Sequence, residues 1–312
     1  MSVEYAIIIK NKTRLDSLIE RFNTKAQAKF YIERLGGNFE DYETEHEIFQ
    51  ESLNSLQSQL SKVIKHKIVD RSYLPSFIFS ENNLIVVIGQ DGLVANTAKY
   101  SRGIPIIAVN PDKNRYDGVL LPFDTSDFII GVENVITKNF RSKTMRFAEA
   151  KLNDGQKLLA FNDLFIGASS HISARYKISF NKNTEEQSSS GLIVSTPAGS
   201  TGWLSSIFNM AYGVANMFEK NLKPKRPKLK DNELLFAVRE PFQSVRTQTG
   251  IATGIIRTQN CLTIESLMPT NGVIFSDGIE TDFLKFNSGT IATIGLAKET
   301  ARIVTNEKRR EV

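Results

Sequence analysis

The sequence predicts an α/β domain followed by a mainly β domain. In the first third of the chain, strand-like apolar runs alternate with helix-like periodicity, which is typical of parallel βαβ units. After about residue 127, short β-like runs follow one another around a single helical stretch. The length of 312 residues leaves room for two domains. We place them at 1–135 and 136–312, and leave open whether about the last 20 residues return to the first domain.

Composition and charge exclude several classes of protein. Hydrophobic residues at 41% and charged residues at 23% argue against disorder, and no apolar run approaches the roughly 20 residues of a membrane helix. The single cysteine, Cys261, excludes an internal disulfide and a multi-cysteine metal site. The net charge is +5, and the basic cluster at 220–230 contains no interleaved aromatic residues. We therefore expect a cytoplasmic protein that binds neither membrane nor nucleic acid, and whose partners are small molecules.

Apolar patterning predicts the elements of the first domain. The apolar run at 5–9 predicts a strand, and a polar stretch follows it. The motif Thr44-Glu45-His46-Glu47 has the spacing of a capping box and predicts the start of a helix, with apolar positions at three- and four-residue spacing up to residue 64. The continuous β-branched run at 84–88 predicts a strand buried on both faces. Further predicted elements are strands at 67–69 and 104–109 and a helix at about 93–100.

The sequence predicts that the second domain consists of strands and one helix. The polar, serine-rich segment 181–190 predicts a hairpin loop, and the stretch at about 203–218 predicts the helix. Strands are predicted at 158–165, 174–180, 191–195, 234–238, 261–267, 272–275 and 290–296.

The first candidate site is the turn Gly89-Gln90-Asp91-Gly92, at the carboxyl end of the strand 84–88. Ligands of open α/β sheets bind outside the carboxyl ends of the strands. Glycines let the backbone approach a phosphate, and a following helix offers unpaired N–H groups. A carboxylate there suits a residue that holds a metal or accepts a proton from an attacking hydroxyl. The alternative is an Asp-Gly turn with an N-capping carboxylate.

Two further candidates lie in the second domain. The segment 195–203 contains several hydroxyl residues and two glycines before the predicted helix, and therefore predicts an anion-binding helix start; a simple helix cap is the alternative. The pair Asn162-Asp163 offers an amide and a carboxylate for a ribose diol or a base edge. Ordinary turn chemistry explains that pair equally well, and also the late turn Ser276-Asp277-Gly278.

Taken in order along the chain, these motifs resemble the NAD kinases (ATP-NAD kinases), and most closely their mitochondrial-type branch. The matching pieces are Gly89-Gln90-Asp91-Gly92, Asn162-Asp163, the segment 196–201, and Asp277-Gly278. The branch is indicated by 165–167, 189–192, 239–241 and 286–289. The resemblance implies a Rossmann-like amino-terminal domain, a β-sandwich-like carboxyl-terminal domain and a homodimer or homotetramer.

The resemblance also implies an activity, the phosphorylation of the adenosine ribose 2′-hydroxyl of NAD by ATP and Mg²⁺ or another divalent cation. Asp91 would be the catalytic carboxylate, and Gly89 and Gly92 would bind the donor phosphates, with no metal-ligand residue assigned. NAD-binding roles are implied for nine residues: Asn162, Asp163, Arg175, Thr196, Gly199, Ser200, Thr201, Gly202 and Ser205.

The sequence departs from the family at several positions. Gln90 stands where the family has a glycine, so a turn that required φ > 0 there would be strained. Leu93 replaces a threonine, Asp163 a glutamate and Ala198 a threonine, and Gly202-Trp203 replaces Ala-Tyr. Two alternatives therefore stay open: a lipid or sugar kinase of the same superfamily, and a catalytically silent NAD(P)-binding sensor.

Overall fold

The computed structural model describes residues 3–219 and 227–306, so residues 220–226 of the basic cluster lie outside the described part of the chain. The helices are α1 (Arg14–Phe22), α2 (Lys25–Arg34), α3 (Glu40–Leu60), α4 (Asp91–Tyr100), α5 (Phe128–Ile136) and α6 (Trp203–Ala215). The strands are β1 (Tyr5–Lys10), β2 (Lys65–Asp70), β3 (Asn83–Ile88), β4 (Pro105–Asn110), β5 (Phe123–Asp124), β6 (Ser142–Leu152), β7 (Lys157–Ala160), β8 (Asp163–Ala168), β9 (Ala174–Phe180), β10 (Asn183–Ser189), β11 (Leu192–Ser195), β12 (Leu234–Val238), β13 (Thr253–Ile256), β14 (Leu262–Ser266), β15 (Gly272–Ser276), β16 (Ile279–Lys285) and β17 (Ile291–Val304).

The chain divides into two compact units, which confirms the predicted fold class of an α/β part and a mainly β part. One unit comprises the described residues up to Thr144 together with those from Ala301 onward, and the other comprises Met145–Thr300. Among the described residues, no helix combines the length and the apolar character that crossing a membrane requires.

The first unit is built on a parallel sheet with the strand order β4-β3-β1-β2. Its central strands are apolar and β-branched because both faces of the sheet are covered, and β3 is buried over five of its six residues. The apolar face of α3 packs into the same core, as does that of α5. The carboxyl end of β17 extends this sheet, since Arg302 pairs with Pro105 in parallel register.

The second unit is a sandwich of antiparallel sheets. One sheet has the order β13-β12-β11-β8-β15-β16, and the other contains β10-β9-β14-β17 with the β6-β7 hairpin. A single apolar core joins residues of both sheets, including Tyr176, Phe236 and Phe286. Gly272 shows how closely the backbones approach within this unit, because a Cβ there would lie 1.7 Å from the carbonyl oxygen of Phe286.

The structure corrects three predictions of local structure. The polar stretch after β1 contains α1 and α2, which were missed because each helix buries a single residue, Leu15 and Ala28 respectively. The predicted capping box at Thr44 is wrong, since α3 is already helical from Glu40; the capping box of this unit lies at Thr13, with Asp16 as its acidic partner.

The third correction concerns the second unit. The segment 181–190 is not a loop but contains β10, which pairs with β9 in antiparallel register. Only Asn181 and Lys182, both at positive φ, form the turn between these two strands.

Replacing Gly272 by alanine is expected to destabilise the protein. The added Cβ meets backbone rather than a mobile side chain, so we expect a loss of roughly 1–3 kcal/mol or more in the free energy of unfolding, measured by chemical denaturation. Gly213→Ala is the matched control, because nothing lies within 4 Å of a Cβ at that position on α6 and alanine favours a helix. Equal stabilities of the two variants would contradict the close approach.

Candidate functional site

The turn after β3 has the conformation that its glycine permits. Gly89 has φ +154°, and a Cβ there would lie 3.0 Å from Cδ2 of Leu93. Gln90 has φ −93° and ψ 164°, an extended conformation that any residue adopts, so the glutamine introduces no strain. Gln90 is the N-cap of α4 and its side chain makes no capping bond. Asp91 is the first residue of the helix, so the alternative of an N-capping Asp91 carboxylate is wrong.

This turn lies at the point where the sheet order reverses. β1 is flanked by β2 on one side and β3 on the other, so the connections that leave β1 and β3 run in opposite directions. Such a reversal creates a crevice outside the carboxyl ends of the strands. A cavity of about 120 Å³ occupies it and is lined by Asn11, Lys12, Thr13, Glu45, Phe49, Arg71, Ile88, Gly89, Gln90, Gly92, Leu93, Pro111, Asp112, Arg115 and Tyr116.

Three cationic side chains line this cavity. Lys12 follows β1 and pairs at 2.8 Å with Glu20. Arg71 follows β2, and its guanidinium donates to the side-chain oxygen of Asn96 when that amide is oriented to accept, at 3.2 Å. Each cation comes from a different connection at the carboxyl edge of the sheet.

The third cation is held by two acids. Arg115 follows β4 and lies 3.7 Å from the carboxylate of Glu45 and 3.6 Å from that of Asp112. Glu45 is itself buried on α3 and is also bonded by Arg14 of α1. Because Glu45 is partnered by two arginines, it does not leave an uncompensated negative charge beside the cavity. A cationic crevice with two glycines at a helix start suits the phosphates of a small molecule.

Asp91 is oriented differently from its neighbours in the turn. Gly89, Gln90 and Gly92 line the cavity, whereas the Asp91 carboxylate is engaged by the segment after β4. Its Oδ1 accepts the backbone N–H of Leu120 at 2.8 Å, and its Oδ2 accepts that of Val119 at 3.2 Å. The turn therefore presents backbone to the cavity and a half-buried carboxylate on another side.

The second unit has its own cluster, built around Asn162 and Asp163. The carboxylate of Asp277 accepts three consecutive backbone N–H groups, those of Phe161 at 3.0 Å, Asn162 at 2.6 Å and Asp163 at 3.2 Å. In return, the N–H of Asp277 donates to the Asp163 carbonyl at 2.9 Å. The late Asp-Gly turn thus fixes the backbone of the predicted dinucleotide-binding pair.

The segment after β11 joins the same cluster. Thr196 donates from its hydroxyl to the Phe161 carbonyl at 2.6 Å, and its N–H donates to the Asn162 carbonyl at 2.9 Å. A Cβ at Gly199 would lie 2.3 Å from that carbonyl oxygen and 2.8 Å from Oδ1 of Asp163, so glycine is required there. Of the predicted residues, Asn162, Asp163, Thr196 and Gly199 are therefore brought together.

The remaining predicted residues are placed around this cluster or away from it. Ser200 donates to the Pro197 carbonyl at 2.7 Å. Thr201 and Gly202 are exposed just before α6, and Ser205 is buried in its first turn. Arg175 lies apart, because it is on β9 in the other sheet, paired with Ser188.

Asp163 is the unusual group of this cluster. Burial raises the pKa of its carboxyl to about 7, and the nearby charge of Asp277 adds to the effect while a hydrogen bond from Ser195 opposes it. Its Oδ1 is buried and has no hydrogen-bond partner. Such an atom is costly unless a ligand hydroxyl or water donates to it. The cluster thus contains a buried carboxylate oxygen that packs against Gly199 and accepts no hydrogen bond.

Sequence reasoning missed the cationic side chains Lys12, Arg71 and Arg115. A signal for Lys12 was available, because the rule that located Gly89, the carboxyl end of a strand, applies equally to β1. Within the described residues, no group of three or more histidine, cysteine or acidic side chains is disposed to hold a metal ion.

Solved structures share this fold. The structure of yeast NADH kinase complexed with NADH has a TM-score of 0.58 and 16% sequence identity, over 99% of this chain and 85% of that chain. That of an NAD kinase from Archaeoglobus fulgidus in complex with ATP has a TM-score of 0.57 and 15% identity, over 98% of this chain and 94% of that chain. No protein-family model and no curated protein matches the chain. The protein therefore has the two-domain fold of the NAD kinases.

The buried carboxyl of Asp163 predicts a pH-dependent stability. Its pKa of about 7 in the folded chain exceeds the value near 3.9 of an unfolded chain, so folding favours the protonated form. The free energy of unfolding should fall as pH rises from about 4 to about 7. Asp163→Asn removes this dependence, and its free energy of unfolding should rise by roughly 4 kcal/mol relative to that of the wild type across that range. Urea denaturation of both proteins at several pH values measures the difference, and a constant difference would contradict the raised pKa.

Proposed function

We propose that the protein is an NAD kinase. The reaction transfers the terminal phosphoryl group of ATP to the 2′-hydroxyl of the adenosine ribose of NAD. The bond between the ribose oxygen and the γ-phosphorus forms, the bond to the β-phosphate oxygen breaks, and the hydroxyl proton passes to the Asp91 carboxylate. The products are NADP and ADP.

The observation that supports this proposal most directly is that the backbone and the carboxylate of the turn after β3 face different sides. Its backbone at Gly89, Gln90 and Gly92 lines a cationic cavity, and its carboxylate lies outside that cavity. A phosphoryl-transfer site needs both parts, a cradle for the donor phosphates and an acceptor for the hydroxyl proton. The resemblance of the motifs and the shared fold point to the same reaction.

We assign the donor phosphates to the cavity of the first unit. Lys12, Arg71 and Arg115 would neutralise them, and Gly92 at the start of α4 would approach them with its backbone. A magnesium ion would enter with ATP and take its ligands mainly from phosphates and water, which suits a chain without an acidic metal cluster in its described part. When bound, the ion neutralises charge on the transferring group.

We assign the dinucleotide to the cluster of the second unit. The carboxyl of Asp163 would bind a ribose hydroxyl, and Asn162 would supply an amide beside it. Thr196 and Gly199 hold this pair in place, while Ser200, Thr201, Gly202 and Ser205 would line the pocket. We retain Arg175 only as a sequence-based assignment, since it lies in the other sheet.

Further parts of the proposal come from the sequence. We propose that the first unit is the predicted domain 1–135, which carries the turn Gly89–Gly92, and that the second is the predicted domain 136–312, which binds the dinucleotide. We also retain as predictions a homodimer or homotetramer, a cytoplasmic location and membership of the mitochondrial-type branch.

A silent NAD(P)-binding sensor is the second candidate. It is favoured by the engagement of both Asp91 oxygens by backbone N–H groups, which is also the arrangement of a structural carboxylate. The two candidates differ in one measurable property, because only the kinase converts NAD to NADP.

The decisive assay combines the purified protein with NAD, ATP and Mg²⁺. We expect NADP formation, and a loss of at least about 100-fold in kcat in Asp91→Asn, because the amide cannot accept the proton. The Kd for NAD, measured by calorimetry, should stay within about two-fold. Asp41→Asn is the matched control, because it makes the same charge change at the exposed start of α3 and should leave kcat unchanged. A wild-type protein that binds NAD and yields no NADP would support the sensor.

Arg71 provides a test of the donor site. Arg71→Gln removes a charge that lines the cavity, so the KM for ATP should rise about ten-fold while the Kd for NAD is unchanged. Lys29→Gln, which removes an exposed charge on α2, is the control. An unchanged KM for ATP would contradict the assignment of the donor phosphates to this cavity.

A further inference from the structure

The two hydrogen bonds to Asp91 come from one β-turn. Gly118–Leu121 forms this turn, closed by the Leu121 N–H, which donates to the Gly118 carbonyl at 3.1 Å. The two central residues, Val119 and Leu120, each direct a backbone N–H to the carboxylate, one to each oxygen. A carboxylate held at both oxygens has lost most of its rotational freedom about χ2.

The turn itself is anchored to the end of β4. Asn110 donates from Nδ2 to the Tyr116 carbonyl at 3.0 Å and accepts the Asp112 N–H at its Oδ1 at 2.9 Å. Gly118 has φ +68°, and a Cβ there would lie 2.8 Å from that same Nδ2. Leu121 is buried and fixes the other end of the turn.

Val119 acts through its backbone alone. Its side chain is 86% exposed, while its N–H is directed at Asp91 Oδ2. An exposed apolar side chain at the tip of a turn contributes little to packing. The contact that Val119 makes with Asp91 is therefore the hydrogen bond from its backbone N–H group.

We propose that the turn Gly118–Leu121 positions the Asp91 carboxylate for the phosphoryl-transfer step, an inference that rests on the proposed kinase function. A carboxylate has about four acceptor positions, and the two N–H groups occupy two of them. The remaining positions face in a fixed direction, where a hydroxyl can donate. Catalysis of phosphoryl transfer depends mainly on positioning, so a carboxylate free to rotate would be a poorer proton acceptor.

The test compares Val119→Pro with Val119→Ala. Both variants remove the valine side chain, but only proline replaces the N–H, and its Cδ takes the place of the hydrogen-bonded proton, so the Asp91 carboxylate must move away from the turn. We expect the kcat for NADP formation to be about ten-fold lower in Val119→Pro than in Val119→Ala. The KM values of the two variants for NAD and for ATP should agree within about two-fold. Their midpoints of thermal unfolding should agree within a few degrees.

Gly118→Ala is the second variant, because it keeps both N–H groups but displaces the turn through its positive φ. It should also lower kcat more than KM, and it serves if the proline variant folds poorly. Equal kcat values for Val119→Pro and Val119→Ala, in a wild-type protein that makes NADP, would overturn the positioning role and leave the kinase function intact. A wild-type protein that makes no NADP would overturn the kinase function and this role with it.

Discussion

Backbone N–H groups at the ends of strands must find acceptors, and in this protein aspartate carboxylates provide them at both candidate sites. Asp277 accepts three consecutive N–H groups at the start of β8. Asp91 accepts two from the turn after β4. Each carboxylate joins segments that are distant in the sequence, and each bond is stronger than a neutral hydrogen bond because the acceptor is charged. The geometry of the proposed sites follows from these bonds.

The three aspartates at these sites have different environments and therefore different uses. Asp277 accepts three backbone N–H groups and holds the backbone of residues 161–163 in place. Asp163 is buried, which raises the pKa of its carboxyl to about 7, and its Oδ1 accepts no hydrogen bond. Asp91 is half-buried, held at both oxygens, and placed beside the cationic cavity rather than in its lining. The same type of side chain thus holds a backbone segment at Asp277, and we propose that it binds a ligand at Asp163 and accepts a proton at Asp91.

The strands of the core were predictable because their signal is local. Continuous apolar runs such as 84–88 must be buried on both faces, and β3 and β12 are buried as expected. Elements that bury little gave no such signal. The helices α1 and α2 each bury one residue, so their sequence was interpreted as a polar stretch. The strand β10 consists only of polar residues at the edge of a sheet, so it was predicted as a loop.

By itself, the sequence determined the fold class, the apolar strands and the glycine turns that we propose as ligand-binding sites, because each depends on neighbouring residues alone. Only the tertiary structure decided which side chains surround those turns. Lys12, Arg71 and Arg115 meet at one cavity because parallel strands bring their carboxyl ends to the same edge of the sheet. The partners of Asp91 likewise come from a turn that follows another strand, and no local pattern encodes a contact between residues so distant in the chain.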